Sequence, residues 1–131
     1  EMCIRDRFIY SLRRMLDPIK EHVDNNFNPL PTEYINEFMP IRQKINDLMK
    51  MSCEQIETSR YENYREILAE ADACKDELSV IRKKHIDRLQ NMKDNTLMQI
   101  SLVYLNVLQE SQEFLSVMRH QLRAAKKFME N

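Results

Sequence analysis

The sequence predicts an all-α fold: an antiparallel up-down helical bundle of three long helices preceded by a shorter N-terminal helix. Three observations predict it. None of the 131 residues is glycine, where ordinary usage of roughly 7% would supply about nine. The positive-φ positions that hairpins, dinucleotide-binding turns and phosphate loops take from glycine are therefore missing, which removes most sheet-based enzyme architectures. Apolar residues recur at alternating spacings of three and four along most of the chain, the period of a helix with one buried face. The breaks between these stretches are short, and short links make consecutive helices antiparallel neighbours.

The first helix is expected from about Phe8 to Val23, with Ile9, Leu12, Leu16, Ile19 and Val23 on one stripe. Asn25 and Asn26 are expected to end it, because asparagine is the best non-glycine residue for a left-handed cap. Pro29 and Pro31 then keep the link extended. Thr32 can cap a second helix that carries Glu33 in its first turn, and Phe38, Ile41, Ile45, Leu48, Ser52 and Ile56 extend it to about Thr58. Pro40 should kink or break this helix, since it removes a backbone donor and crowds the preceding turn.

Ser59-Arg60-Tyr61-Glu62 has the form of a capping box. It would open a long third helix whose seam is Tyr64, Ile67, Ala71, Cys74, Leu78, Ile81, His85 and Leu89. Thr96-Leu97-Met98-Gln99 repeats the box after Asp94-Asn95 and would open a fourth helix. Its inward positions are expected at Ile100, Val103, Tyr104, Val107, Phe114, Met118, Leu122, Ala125 and Phe128. At roughly 30 residues and 1.5 Å rise per residue, each of the last two helices is about 45 Å long.

Composition sets the limits on function. With 43% hydrophobic and 31% charged residues, residues 8–131 suit one globular helical domain. Met2-Cys3-Ile4-Arg5-Asp6-Arg7 resembles the translation of a sequencing-library adapter end, so residues 1–7 are expected to be foreign and the chain to be a fragment of a longer protein. No run reaches the roughly 20 apolar residues of a membrane span. A net charge of −1 argues against nucleic acid as a partner. Charge is segregated locally: Glu54 to Glu77 holds eight acids and three bases, whereas Arg82 to Lys93 holds five bases and one acid. Folding about residues 94 and 95 should bring Arg119, Arg123, Lys126 and Lys127 near Glu62, Glu66 and Glu70. With Cys3 set aside, Cys53 and Cys74 have no C-x-x-C spacing and are expected to be buried thiols in a reducing compartment.

Catalytic patterns are sparse. His22, His85 and His120 lie on three different helices, and no H-E-x-x-H, G-x-S-x-G or Cys-His spacing occurs. The chain is expected not to be an enzyme, with no catalytic residue and no organic cofactor. The candidate divalent-metal residues are Glu66 with Glu70 and Asp72 with Asp76, because i, i+4 spacing projects two carboxylates along one helix face. A solvated, salt-bridged face accounts for the same spacing, and the Glu-x-x-His pair of di-metal bundles is missing. The basic runs at Arg82, Lys83, Lys84 and Arg88 and from Arg119 to Lys127 can meet phosphate, lipid headgroups or acidic neighbours. The nine methionines fill core gaps or form an adaptable partner surface.

Three segments share a further likeness: His22-Val23-Asp24-Asn25-Asn26-Phe27-Asn28-Pro29-Leu30, Arg82-Lys83-Lys84-His85-Ile86-Asp87-Arg88-Leu89, and Leu102-Val103-Tyr104-Leu105-Asn106-Val107-Leu108-Gln109-Glu110-Ser111. Together they resemble the cytosolic, C-terminal PhoU-like region of bacterial inorganic phosphate transporters of the Bacteroides type, over roughly residues 10–129. The resemblance implies a non-catalytic regulatory bundle on the cytoplasmic side of the inner membrane. Such a bundle would modulate phosphate transport by packing against the membrane domain of the same chain or against a partner, a second copy included. The metal signature of that family, an acidic residue followed after three others by Asp, is met by Asp72-Ala73-Cys74-Lys75-Asp76. Glu66-Ile67-Leu68-Ala69-Glu70 ends in Glu instead. The competing expectation is a free-standing helical interaction protein that dimerises through its heptad or methionine-rich seam.

Overall fold

The computed structural model describes residues 32–130 continuously, the side chains of 129 and 130 excepted, together with Arg7, Ile9, Tyr10, Arg13, Arg14 and Asp17. The described residues are helical apart from short connections, and none is in a strand. Three long helices follow one another: α1 (Thr32–Thr58), α2 (Tyr64–Gln90) and α3 (Asn95–Glu130). The six described residues before α1 are helical as well, and Ile9 is buried in the common core. The rest of the expected first helix, its Asn25-Asn26 cap and the proline link lie outside the described residues.

Helix α1 has the bounds its sequence pattern sets, and it runs unbroken through Pro40. Asn36 and Pro40 are both exposed, so water can serve the Asn36 carbonyl that loses its i+4 donor. The expected break is absent for that reason.

The link to α2 corrects the expected capping box. Ser59 has φ 54°, the left-handed region, and it terminates α1 instead of opening α2. Its N–H donates to the Ile56 carbonyl at 3.4 Å and the Arg60 N–H donates to the Gln55 carbonyl at 3.2 Å. These are the paired bonds of a Schellman stop, in which the left-handed residue is usually glycine. In a chain without glycine a serine takes the strained position. Helix α2 starts only after Asn63, which makes no side-chain capping bond.

At the other end, Asn91 closes α2 with right-handed backbone, φ −102°, and its Nδ2 donates to the Asp87 carbonyl at 3.1 Å. The N-cap of α3 is Asp94, not Thr96. Its carboxylate accepts the Thr96 N–H at 2.9 Å and the Leu97 N–H at 3.4 Å, the reach of a capping Asp to the second and third helical residues.

Every inward position expected of α1 is buried, as are Ile67, Ala71, Cys74, Leu78 and His85 of α2. In α3, Tyr104, Val107, Phe114, Met118, Leu122 and Ala125 are buried, joined by Leu108 and Leu115. Ile100 and Val103 are only partly buried, and Phe128 has 54% of its surface exposed: its seam position lies in the last turn, where a core no longer covers it. Contacts fall along one helix as they rise along the next. Between α1 and α2, Lys44 meets Glu77 and Glu37 meets Arg88; between α2 and α3, Asp72 meets Arg119 and His85 meets Ser101. Among the described residues no helix is long and apolar enough to cross a membrane.

Candidate functional site

The densest chemistry lies where all three helices meet near the start of α1. Helical spacing puts Tyr34, Glu37, Phe38 and Ile41 on one face of α1, so a single carboxylate enters an otherwise apolar stripe. Glu37 is met there by a fork from α2. Arg88 Nη2 donates to its Oε2 at 2.6 Å and Nη1 donates to its Oε1 at 3.3 Å. Helix α3 adds the Tyr104 hydroxyl, which donates to Oε1 at 2.9 Å. Lys84 completes the set at 3.4 Å. The Glu37 and Arg88 side chains are only 12% and 16% exposed.

Burial alone would push the Glu37 carboxyl up, but the hydrogen bonds from Arg88 and Tyr104 and the two nearby cations outweigh it and hold the group below the usual carboxylate range. Burial likewise works against the Arg88 charge, and Glu37 more than restores it. The Tyr104 hydroxyl is pushed up by burial and by the adjacent carboxylate, which leaves it a committed donor.

Aromatic rings wall the ion pair. The Arg88 guanidinium lies 4.4 Å from the Tyr34 ring centroid, a cation–π distance. Tyr34 stacks on Tyr104 at 5.7 Å, and His85 stands edge-on to both, at 5.1 and 4.7 Å. His85 is fully buried. Its Nε2–H donates to the Ser101 carbonyl at 2.8 Å, and its Nδ1 faces Arg88 Nη1 at 3.4 Å. An arginine cannot accept, so the neutral tautomer with the proton on Nε2 serves both neighbours. Burial, with Arg88 beside it, lowers the imidazole's affinity for a second proton despite the Ser101 carbonyl and Glu37. His85 is thus a satisfied core histidine. The cluster contains no free nucleophile or base: it is a polar lock joining three helices.

The acidic residues singled out for metal do not converge. Glu66, Glu70, Asp72 and Asp76 are all exposed. Asp72 pairs with Arg119 of α3 at 3.2 Å. Among the described residues no three His, Cys, Asp or Glu side chains stand close enough to hold a metal ion. Glu70 borders a cleft of about 280 Å³ between α1 and α2, together with Lys44, Asp47, Cys74 and Glu77. Lys44 donates to Glu77 across it at 2.8 Å. Burial pushes the Cys74 thiol up to about 11, and Cys53 is raised by burial too. Both are free and buried, so neither supplies a thiolate at neutral pH.

Of the basic run in α2, Arg88 and Lys84 are drawn to Glu37, whereas Lys83 is exposed. Glu37 is the residue that sequence reasoning passed over. The one available signal was its position, a lone acid three residues after Tyr34 and four before Ile41 in the buried stripe. No protein family, no curated protein and no solved structure matches the chain.

Proposed function

We propose that this chain is the PhoU-like cytosolic regulatory region of a bacterial inorganic phosphate transporter, an up-down four-helix bundle that modulates transport by packing against the membrane domain or a partner. One observation carries the reading beyond the resemblance of the segments. Two of the three segments that carry the likeness, Arg82–Leu89 and Leu102–Ser111, lie against each other and close on the same residue, since Arg88 and Tyr104 both bind Glu37. The part of the chain that looks familiar is therefore the part that locks the helices. A lock of committed donors and acceptors suits a module that transmits a helix arrangement, not one that turns over a substrate. Divalent metal at Asp72 and Asp76 is a secondary element of this reading, with Asp72 engaged by Arg119.

Sequencing the source DNA upstream of the Phe8 codon tests the proposal. Several apolar membrane spans in frame, or an adjoining transporter gene, are the expected result; neither being present overturns it. The alternative, a free-standing dimerising bundle, is favoured by Ile86 and Leu102. Each lies one residue beyond the His85–Ser101 bond, and they are 36% and 48% exposed.

A further inference from the structure

Helix α2 carries a second seam on the face turned away from the core. There Ala69, Ala73, Asp76, Val80, Lys83 and Asp87 recur at spacings of four and three, and all six are exposed. That is the period of a stripe that meets another helix. Val80, with 66% of its surface exposed, is the most open large hydrophobic residue among those described. Valine is also a weaker helix former than lysine or glutamate, so neither packing within the chain nor helix propensity accounts for it. Ala69 and Ala73 have little bulk, which leaves room beside them for another helix.

The charges on this side of α2 are ordered along it. Asp76 and Glu77 precede Val80, Lys83 and Lys84 follow it, and all four are exposed. At 1.5 Å rise per residue, the two acids lie about 6 and 4.5 Å before Val80 and the two lysines about 4.5 and 6 Å after it. Two copies of α2 laid antiparallel about Val80 therefore bring the acids of each level with the lysines of the other, with the two valines at the centre. A parallel pair would set acid against acid and lysine against lysine. Glu77 and Lys84 are already engaged within the chain, by Lys44 and Glu37. Among the described residues, Asp76 and Lys83 are in no ion pair, so these two are the halves left to match between copies.

We infer that the exposed face of α2 binds a second copy of this chain, in an antiparallel pair with its two-fold axis at Val80 and with Asp76 of each copy against Lys83 of the other. A two-fold pair is self-complementary and makes every contact twice, and complementary charge fixes its direction more than its strength. From Ala69 to Asp87 the contact runs about 27 Å along one helix. That is small against the usual interface of about 1,600 Å², so the dimer is a reversible one that salt weakens. The pairing deepens the dimerising alternative and leaves the phosphate-transport reading untouched, because a transporter's regulatory region can pair in the same way.

The test is sedimentation equilibrium of the full chain over a wide concentration range at low salt, with circular dichroism to check that each variant keeps its helices. A monomer–dimer equilibrium is expected. Asp76→Lys and, separately, Lys83→Glu should each weaken it about tenfold, or about 1.4 kcal/mol. The double variant should regain the parent affinity, because the exchanged charges meet again in an antiparallel pair. Both positions are exposed, so the variants read recognition without disturbing the core. Leu102→Ser should leave the equilibrium unchanged. The inference is overturned by a monomer at every concentration, by single variants that dimerise like the parent, or by a double variant no better than the singles. A dimer lost in Leu102→Ser and kept in Asp76→Lys also overturns it and assigns the contact to the Ile86 and Leu102 surface. None of these results bears on the phosphate-transport reading, which the upstream DNA tests separately.

Discussion

At the scale of single residues, Glu37 ties α1 to both other long helices, because one carboxylate collects donors from α2 and α3. Removing one member of a buried, hydrogen-bonded ion pair leaves the other charge without compensation, typically at 3–5 kcal/mol. Glu37→Ala is therefore expected to lower unfolding stability by about 3 kcal/mol in urea denaturation. Glu37→Leu combined with Arg88→Met should recover most of the loss, since both charges then leave together. His85 and Glu37 also set a pH dependence with one sign. A histidine whose folded pKa lies below its unfolded value gives stability that is complete above about pH 6.5 and is lost as pH falls toward the folded value. Glu37, also lowered, adds stability that is present above about pH 4.3 and lost on further acidification. Thermal melts should thus show stability falling from pH 7 to pH 5, and His85→Gln should flatten that interval without removing the loss below it.

At the scale of elements, the helix ends show how a glycine-free chain turns. Ser59 holds a left-handed φ of 54° at a cost on the order of 1 kcal/mol for a residue with a Cβ. Ser59→Gly is expected to raise stability by about 0.5–1 kcal/mol, with α1 and α2 unchanged. Asp94→Ala should act the other way and cost about 1 kcal/mol, because two amides of α3 lose their cap. Chemical denaturation of the two variants beside the parent chain checks both signs. The same ends explain where sequence reading succeeded and where it slipped. The bounds of α1 and the buried stripes of all three helices were legible, because periodicity records burial directly. The caps were displaced by a few residues: Ser59-Arg60-Tyr61-Glu62 and Thr96-Leu97-Met98-Gln99 both satisfy the box pattern. Which Ser, Thr or Asp takes the cap depends on where the chain leaves the preceding helix, a matter of backbone geometry.

At the scale of the whole molecule, one core joins α1, α2, α3 and Ile9, so the helices are expected to melt together. Far-UV circular dichroism and tyrosine fluorescence should give coincident unfolding curves. Leu78→Ala, at a fully buried position of α2, should shift both by about 2–5 kcal/mol. Two separated transitions would show instead that the helices fold as independent units. The charge segregation also resolves at this scale. Lys84 and Arg88 meet Glu37, Lys44 meets Glu77 and Arg119 meets Asp72, so two acids of the acidic stretch and two bases of the basic run are paired between helices.

The absence of glycine and the spacing of apolar residues were enough to determine the three long helices and most of their buried faces, because both act within a few residues of chain. Neither could say that Glu37 would find Arg88 and Tyr104, 51 and 67 positions away. Nor could they show that the Gln55 side-chain oxygen would be buried with no hydrogen-bond partner among the described residues. Those outcomes depend on the rotation and register of one helix against another, which the tertiary packing alone decides.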